Sequence, residues 1–273
     1  MSCLAPTRSV LFRSRLPTAV SRRCIHQLPT LPYKIENGLG DFLSPAALRT
    51  VAVEYQSGLL ANLNELVKDT DLENKSIVQT VLSTARDPAK VLTFNHACQA
   101  LNNSFFLDNL KPPSGRGSTI PPDLSNSIIK SFGSPTALKS SLSAAVTGMS
   151  GSGWVWLVCD QRTELGVVAT YGPSTLLART RMQVAASAGR AAYNPNRSVG
   201  SNTVQVGNVT PGALNYVGQS LVPLLCVSVH EHAWLLDYGV WGKEEYMRRF
   251  WDVVNWDKVD EILKKFVRPD FGG

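Results

Sequence analysis

The chain is poor in the residues that bind metals and rich in none that substitute for them. It has four histidines in 273 residues, none between His26 and His96. Its five cysteines have no CxxC spacing, and three remain beyond the first thirty residues: Cys98, Cys159 and Cys226. An odd set without close pairs argues against a disulfide framework or a zinc knuckle, so each is read as a small buried apolar side chain. The longest apolar runs, such as Leu221 to Val229, are too short and interrupted to span a bilayer, which excludes a membrane partner. No phosphate-binding loop, nucleophile elbow or paired-carboxylate signature is present. Acidic residues are also missing, from the stretch before Glu36 and again from Leu165 to His230.

The first of those acid-free stretches explains the net charge of +6. Residues 1–30 contain Arg8, Arg13, Arg15, Arg22 and Arg23. Without these five, 22 basic residues face 21 acidic ones, so the body is close to neutral. A segment rich in Arg and Ser, free of acids and sparingly apolar has the composition of a mitochondrial presequence. Residues 1–28 are assigned to it, with "SRRC" (Ser21–Cys24) as the neighbourhood for cleavage. A disordered basic arm is the alternative.

What is present is organised as helices first and a small sheet later. Ser44 and Pro45 form a helix start, and Leu48, Val51, Tyr55, Leu59, Leu63 and Leu66 recur at helical spacing. Polar "KDTDLENKS" follows, then a second helical stretch from about Pro88 to Leu107. The pair predicts an antiparallel hairpin. "KPPSGRGSTIPP" (Lys111–Pro122) is a boundary, with four prolines and two glycines. Beyond it lie two helices broken at Gly133–Pro135 and strands in "GSGWVWLVCD", "ELGVVATYG" and "LVPLLCVSV". The chain closes with a helical stretch broken near Asn255. The plan is α+β: a helical hairpin domain over residues 29–112 and an α/β domain over 113–273. An insertion at about 173–220 carries Arg179, Arg181, Arg190 and Arg197.

Five motifs, in order, then resemble the iron/manganese superoxide dismutases. They are "LPY" (Leu31–Tyr33), "FNHACQALNNSFFLDNLKP" (Phe94–Pro112), "GSGWVWL" (Gly151–Leu157), "PLLCVSVHEHAWLLDYG" (Pro223–Gly239) and "FWDVVNW" (Phe250–Trp256). The resemblance covers the chain after the presequence except the insertion. It implies a helical hairpin followed by an α/β domain with a three-stranded antiparallel sheet. It also implies a metal held by three histidines and one aspartate.

Those ligands do not carry over. The first belongs to a His-x3-His-x3-Tyr pattern, which falls on Val51, Tyr55 and Leu59, or one residue earlier on Thr50; neither Val51 nor Thr50 is a histidine. The second, from an Asn-His pair, falls on Asn103 of Asn102–Asn103. His96 is seven residues away, about 10 Å along a helix rising ~1.5 Å per residue, against metal–nitrogen bonds of about 2 Å. The family's Asp-x-Trp-x-His becomes Ser228-x-His230-x-His232, so only His232 is retained. Gln99 matches the outer-sphere glutamine of iron-type enzymes. A new site from His230 and His232, which share a face if both lie in a strand, is the lesser alternative to structural histidines.

The resemblance therefore implies a pseudoenzyme without cofactor, whose packing tryptophans outlast its ligands. Glu231 and His232 are the family's residues at the two-fold dimer interface, and Leu235 replaces an interfacial tyrosine. With the presequence and the basic insertion, the chain resembles the superoxide-dismutase-like proteins of the fungal mitochondrial small ribosomal subunit, which occur as a pair of paralogues. That implies a structural role in matrix translation, a second dismutase-like subunit as dimer partner, and contact with ribosomal proteins and small-subunit rRNA through the four arginines. A divergent mitochondrial dismutase with another ligand set is the competing expectation.

Overall fold

The computed structural model describes residues 26–113, 119–177 and 221–267. All but the last three residues of the presequence assignment, and the four arginines of the insertion, lie outside these. Among the described residues no helix is long and apolar enough to cross a membrane.

The first long helix starts as its sequence dictates. The Ser44 hydroxyl accepts from Ala47 N (3.2 Å) and Pro45 occupies the first helical position. The helix then runs in three pieces: α1 (Pro45–Arg49), a π-helical turn (Thr50–Tyr55) and α2 (Gln56–Val67). The wider turn inserts a residue into the 3.6 period and re-phases the buried face. After it, Gln56, Leu59, Leu60, Leu63 and Val67 point inward, while Leu66, expected on that face, is exposed. The polar stretch that follows leads into α3 (Ile77–Thr84), a helix the apolar pattern does not announce. Its start is a full capping box: the Ser76 hydroxyl accepts from Gln79 N, and the Gln79 side chain accepts from Ser76 N. Next, α4 (Val91–Asp108) packs antiparallel on α2 and against α3.

Two further helices, α5 (Pro122–Phe132) and α6 (Pro135–Gly148), are separated by Gly133, whose φ of 83° a side chain would strain. The sheet has the order β2-β1-β3, all antiparallel, from β1 (Gly153–Cys159), β2 (Leu165–Tyr171) and β3 (Val222–Ser228). Trp154 faces Thr170 on one side and Ser228 on the other. Every residue of the central strand β1 is buried. After β3, Val229 and His230 lead straight into α7 (Glu231–Tyr238), followed by α8 (Lys243–Val253) and α9 (Trp256–Val267).

The hairpin and the sheet share one core. Val51, Ala52, Phe106 and Leu110 pack in the same cluster as Trp154, Leu225, Phe250 and Trp256. Backbone bonds reinforce the join: Lys111 N donates to Val253 O and Asn255 N to Asn109 O, each at 2.8 Å, and Tyr33 OH donates to Leu107 O (2.8 Å). The break near Asn255 is thus where the end of the hairpin is stitched to the C-terminal helices. The α+β architecture with a three-stranded antiparallel sheet is the one expected.

At Gly153 a Cβ would lie 2.3 Å from Thr170 O and 2.9 Å from Met149 Sδ. Backbone cannot yield there, so Gly153→Ala is expected to destabilise the fold by about 2–3 kcal/mol, read as a lower urea midpoint at unchanged slope.

Candidate functional site

The hairpin presents α4 to the π-helical turn, and the end of β3 presents α7 to the same place. Val51, Asn103, Ser228 and His232 are therefore carried by four different elements that converge. At the centre is the Asn103 side chain, fully buried. Its Nδ2 donates to Val51 O (3.0 Å) and to Gln56 Oε1 (2.8 Å). Gln56, buried as well, donates from Nε2 to Ala100 O (3.1 Å) and Ser104 Oγ (3.0 Å). Both amide hydrogens of Asn103 are thus committed to the first helix, and the two long helices are cross-linked by side-chain amides.

A second set of contacts closes the circuit. The Tyr55 ring lies 3.9 Å, centroid to centroid, from that of His232, and His232 stacks on His230 at 5.3 Å. His230 packs edge-on to Trp154 (5.1 Å), and its Nε2 is 3.4 Å from Gln99 Nε2. Trp154 Nε1 donates to Gln99 Oε1 (3.1 Å). Gln99 and Asn103 are one turn apart on the same side of α4, so the ring returns to its start. Ser228, opposite Trp154 in the sheet and fully buried, stands on its rim. Three buried polar atoms here have no protein partner: Asn103 Oδ1, Ser228 Oγ and His232 Nε2.

The electrostatics follow from burial. Desolvation lowers the His230 pKa to about 4 against the opposing pull of Glu231. His232 is lowered to about 4 by burial and then by its neighbour His230. Tyr55 is pushed up to about 12 by burial. At neutral pH the cluster is therefore uncharged. Among the described residues there is no group of three or more His, Cys, Asp or Glu side chains able to hold a metal ion.

The expected strand placement of His230 and His232 needs correction. His230 is the N-cap residue of α7 and His232 lies in its first turn, so they do not share a strand face. Their rings meet because the chain turns between them. His96, half-buried on α4, takes no part in the ring. Asn102 points elsewhere and donates to Ser174 O (2.9 Å). Gln56, Tyr55 and the indole of Trp154 are participants that pattern reading missed. The signal for Tyr55 was its place in the second position of the His-x3-His-x3-Tyr pattern; Gln56 gave none, because its role depends on the re-phasing π turn.

Outside this interior, Glu231 is exposed, and its carboxylate accepts from Ser152 Oγ, a bond that holds its pKa below the usual range. Beyond it Leu235, Leu236 (61% exposed), Val240 and Trp241 (93% exposed) form an apolar stretch along α7 and the turn after it.

Comparison with known proteins bears on this arrangement. Residues 121–186 and 195–262 match the model of the C-terminal domain of iron/manganese superoxide dismutases. The chain is 27% identical to an iron superoxide dismutase of Campylobacter jejuni over 252 residues, 90% of this chain and 93% of that protein. It is 25% identical to small ribosomal subunit protein mS43 of Schizosaccharomyces pombe over 240 residues, 86% of this chain and 84% of the relative. Small ribosomal subunit protein mS42 of the same yeast is 27% identical over 230 residues, 83% and 90% of the two chains.

Two outcomes are expected. Asn103→Ala removes both amide bonds and leaves Gln56 Oε1 buried without its donor, so stability should fall by about 2–3 kcal/mol in urea unfolding. The histidines are neutral in the fold and titrate at ordinary values when unfolded, so the unfolded chain binds more protons between pH 4 and 6.5. Stability is then present in full above pH 6.5 and lost as pH falls toward 4. Unfolding midpoints measured at pH 7.5 and 5.0 should show this loss, and a His230→Gln/His232→Gln variant should show a smaller one.

Proposed function

The chain belongs to the iron/manganese superoxide dismutase family, and we propose that it is a metal-free, non-catalytic member. In this reading it is a structural component of the mitochondrial small ribosomal subunit and supports mitochondrial translation. The observation that carries the proposal is the commitment of the Asn103 amide to Val51 O and Gln56. At the four proposed ligand positions, Val51 offers no donor, and Asn103 directs its amide hydrogens at the first helix. Ser228 is a neutral hydroxyl, and His232 alone has an imidazole. A redox ion needs a charge-compensating, multidentate shell, and this donor set does not fit one.

A fold that keeps its packing and drops its ligands is a scaffold, and function resides in its surfaces. The two ribosomal relatives, matched over nearly the whole chain, support a ribosomal setting. The acid-free, Arg-rich N-terminus supports mitochondrial import and the matrix as destination. In this reading Glu231 and His232 mark the dimer face toward a second dismutase-like subunit. The exposed Leu235, Leu236 and Trp241 follow Glu231 along α7 and the turn after it and provide apolar area for that contact. The arginines at 179, 181, 190 and 197 meet rRNA phosphates, where four cations without an acid bind by charge rather than by base sequence. Among the described residues many cations already have acidic neighbours, including Lys111 with Asp257, Arg249 with Glu245 and Lys264 with Asp260. That leaves the insertion as the better candidate for nucleic acid.

Sedimentation of salt-washed mitochondrial lysate tests the proposal. The chain should co-migrate with small ribosomal subunits, and changing the four arginines to Ala should weaken that retention as salt rises. A chain that sediments alone and dismutates superoxide would establish the competing reading, a divergent mitochondrial dismutase.

A further inference from the structure

The two edges of the sheet differ. On one side β3 carries Pro223 and a register shift against Leu157 and Val158 of β1, and its residues 224–228 are buried. On the other side β2 has no such interruption. It pairs with β1 in one unbroken register, and Leu165–Tyr171 contains no proline and no charge. The bonds at its two ends set which backbone groups point outward. Asp160 N donates to Glu164 O and Gly172 N to Ser152 O, so the even-numbered residues of β2 bond to β1 and the odd-numbered ones face away. Two of the outward groups are taken: Leu165 N donates to Ser131 Oγ (3.0 Å), and Tyr171 O accepts from Ser174 N (3.2 Å). Between them the N–H and C=O of Val167 and of Ala169 bond to nothing among the described residues. Ala169 and Tyr171 are exposed, and Val167 and Val168 are only half-buried.

An open, uncharged edge of this kind takes an added strand through main-chain bonds. A second copy is a poor occupant, because pairing along one short strand is too small a contact for a stable dimer, which buries about 1,200–2,000 Å². The chain supplies a better one. Both β2 and β3 are antiparallel to β1, so they run parallel to each other; β2 ends beside Gly153, and β3 starts beside Cys159. Residues 178–220, outside the described ones, join these two points. They must return the length of the sheet, ~20 Å, in the direction opposite to β2, and they are far longer than that distance needs.

Within them, Thr203, Val204, Gln205 and Val206 alternate polar and apolar, carry no charge and are rich in β-branched side chains. Turn residues bound them, Gly200 and Ser201 before and Gly207 and Asn208 after. We propose that residues 203–206 dock antiparallel on the free edge of β2 as a fourth strand, bonding to the backbone of Val167 and Ala169. Arg179, Arg181, Arg190 and Arg197 all precede Thr203, so the pairing gathers them into a loop held at both ends. Neither the metal-free nor the ribosomal reading is needed for it.

Amide hydrogen exchange of the full chain, resolved residue by residue, reads this edge. The Val168 and Thr170 amides donate to β1 and serve as the internal reference, while those of Val167 and Ala169 point outward. All four should be protected in the unsubstituted chain. In Gln205→Pro/Val206→Pro, adjacent prolines remove a bond to β2 in either register. Val167 and Ala169 should then exchange about tenfold faster or more, with Val168 and Thr170 unchanged, which also shows that the variant has folded. A Val204→Ser/Val206→Ser variant, gentler on the chain, should move the same two amides in the same direction. If Val167 and Ala169 exchange as freely as loop amides in the unsubstituted chain, the edge is empty and the proposal is overturned. Protection that survives both variants overturns it as well and gives the edge to another occupant, a second copy if the protection fades on dilution.

Discussion

Beside the sheet, the two long helices of the hairpin are locked to each other by a pair of side-chain amides. Asn103 and Gln56 bond to each other across the two long helices, and each also takes a backbone carbonyl of the helix opposite. These bonds are strong where they are because both side chains are fully buried: a buried amide without its partner costs more than the bond itself contributes in water. The π turn matters for the same reason. It rotates Gln56 into the core and offers Val51 O to Asn103, so a local irregularity in the backbone positions the cross-link.

The second half of the join is aromatic. Tyr55, His232, His230 and Trp154 pack in series, uncharged at neutral pH, between the first helix and the strand end. An ion in such a place brings ligands from separate elements together through its own charge. Neutral amides and stacked rings reach the same geometric result by shape and hydrogen bonding. In the metal-free reading proposed above, the surfaces are then free to change without any cost to chemistry, which is the property a scaffold needs.

Much of this architecture was legible from local chemistry. Ser44 with Pro45, the break at Gly133–Pro135 and the β-branched runs around Trp154 each specify their element through a single physical requirement. What escaped was set by longer-range or polar effects. The helix at Ile77–Thr84 is announced only by its capping box, because its apolar face is short. The phase of α2 depends on a π turn that no periodicity contains, which is why Leu66 is exposed and Val67 buried. The histidines were placed correctly in sequence but not in space, since the strand ends before His230. The convergence of Val51, Asn103, Ser228 and His232 was visible through the family pattern alone. What ties them, the amide of Gln56 and the ring of Tyr55, emerged only from the packing. The arginines of the insertion lie outside the described residues, so their assignment to rRNA rests on charge.

The central claim is that amides and rings, rather than an ion, hold this interior. Its most direct measurement is the metal content of the full chain, purified from cells grown with added iron and manganese, by plasma mass spectrometry. The account predicts far less than one atom per chain of either metal, because one imidazole among neutral donors cannot retain it. About one tightly held atom of iron or manganese per chain, surviving dialysis, would contradict it.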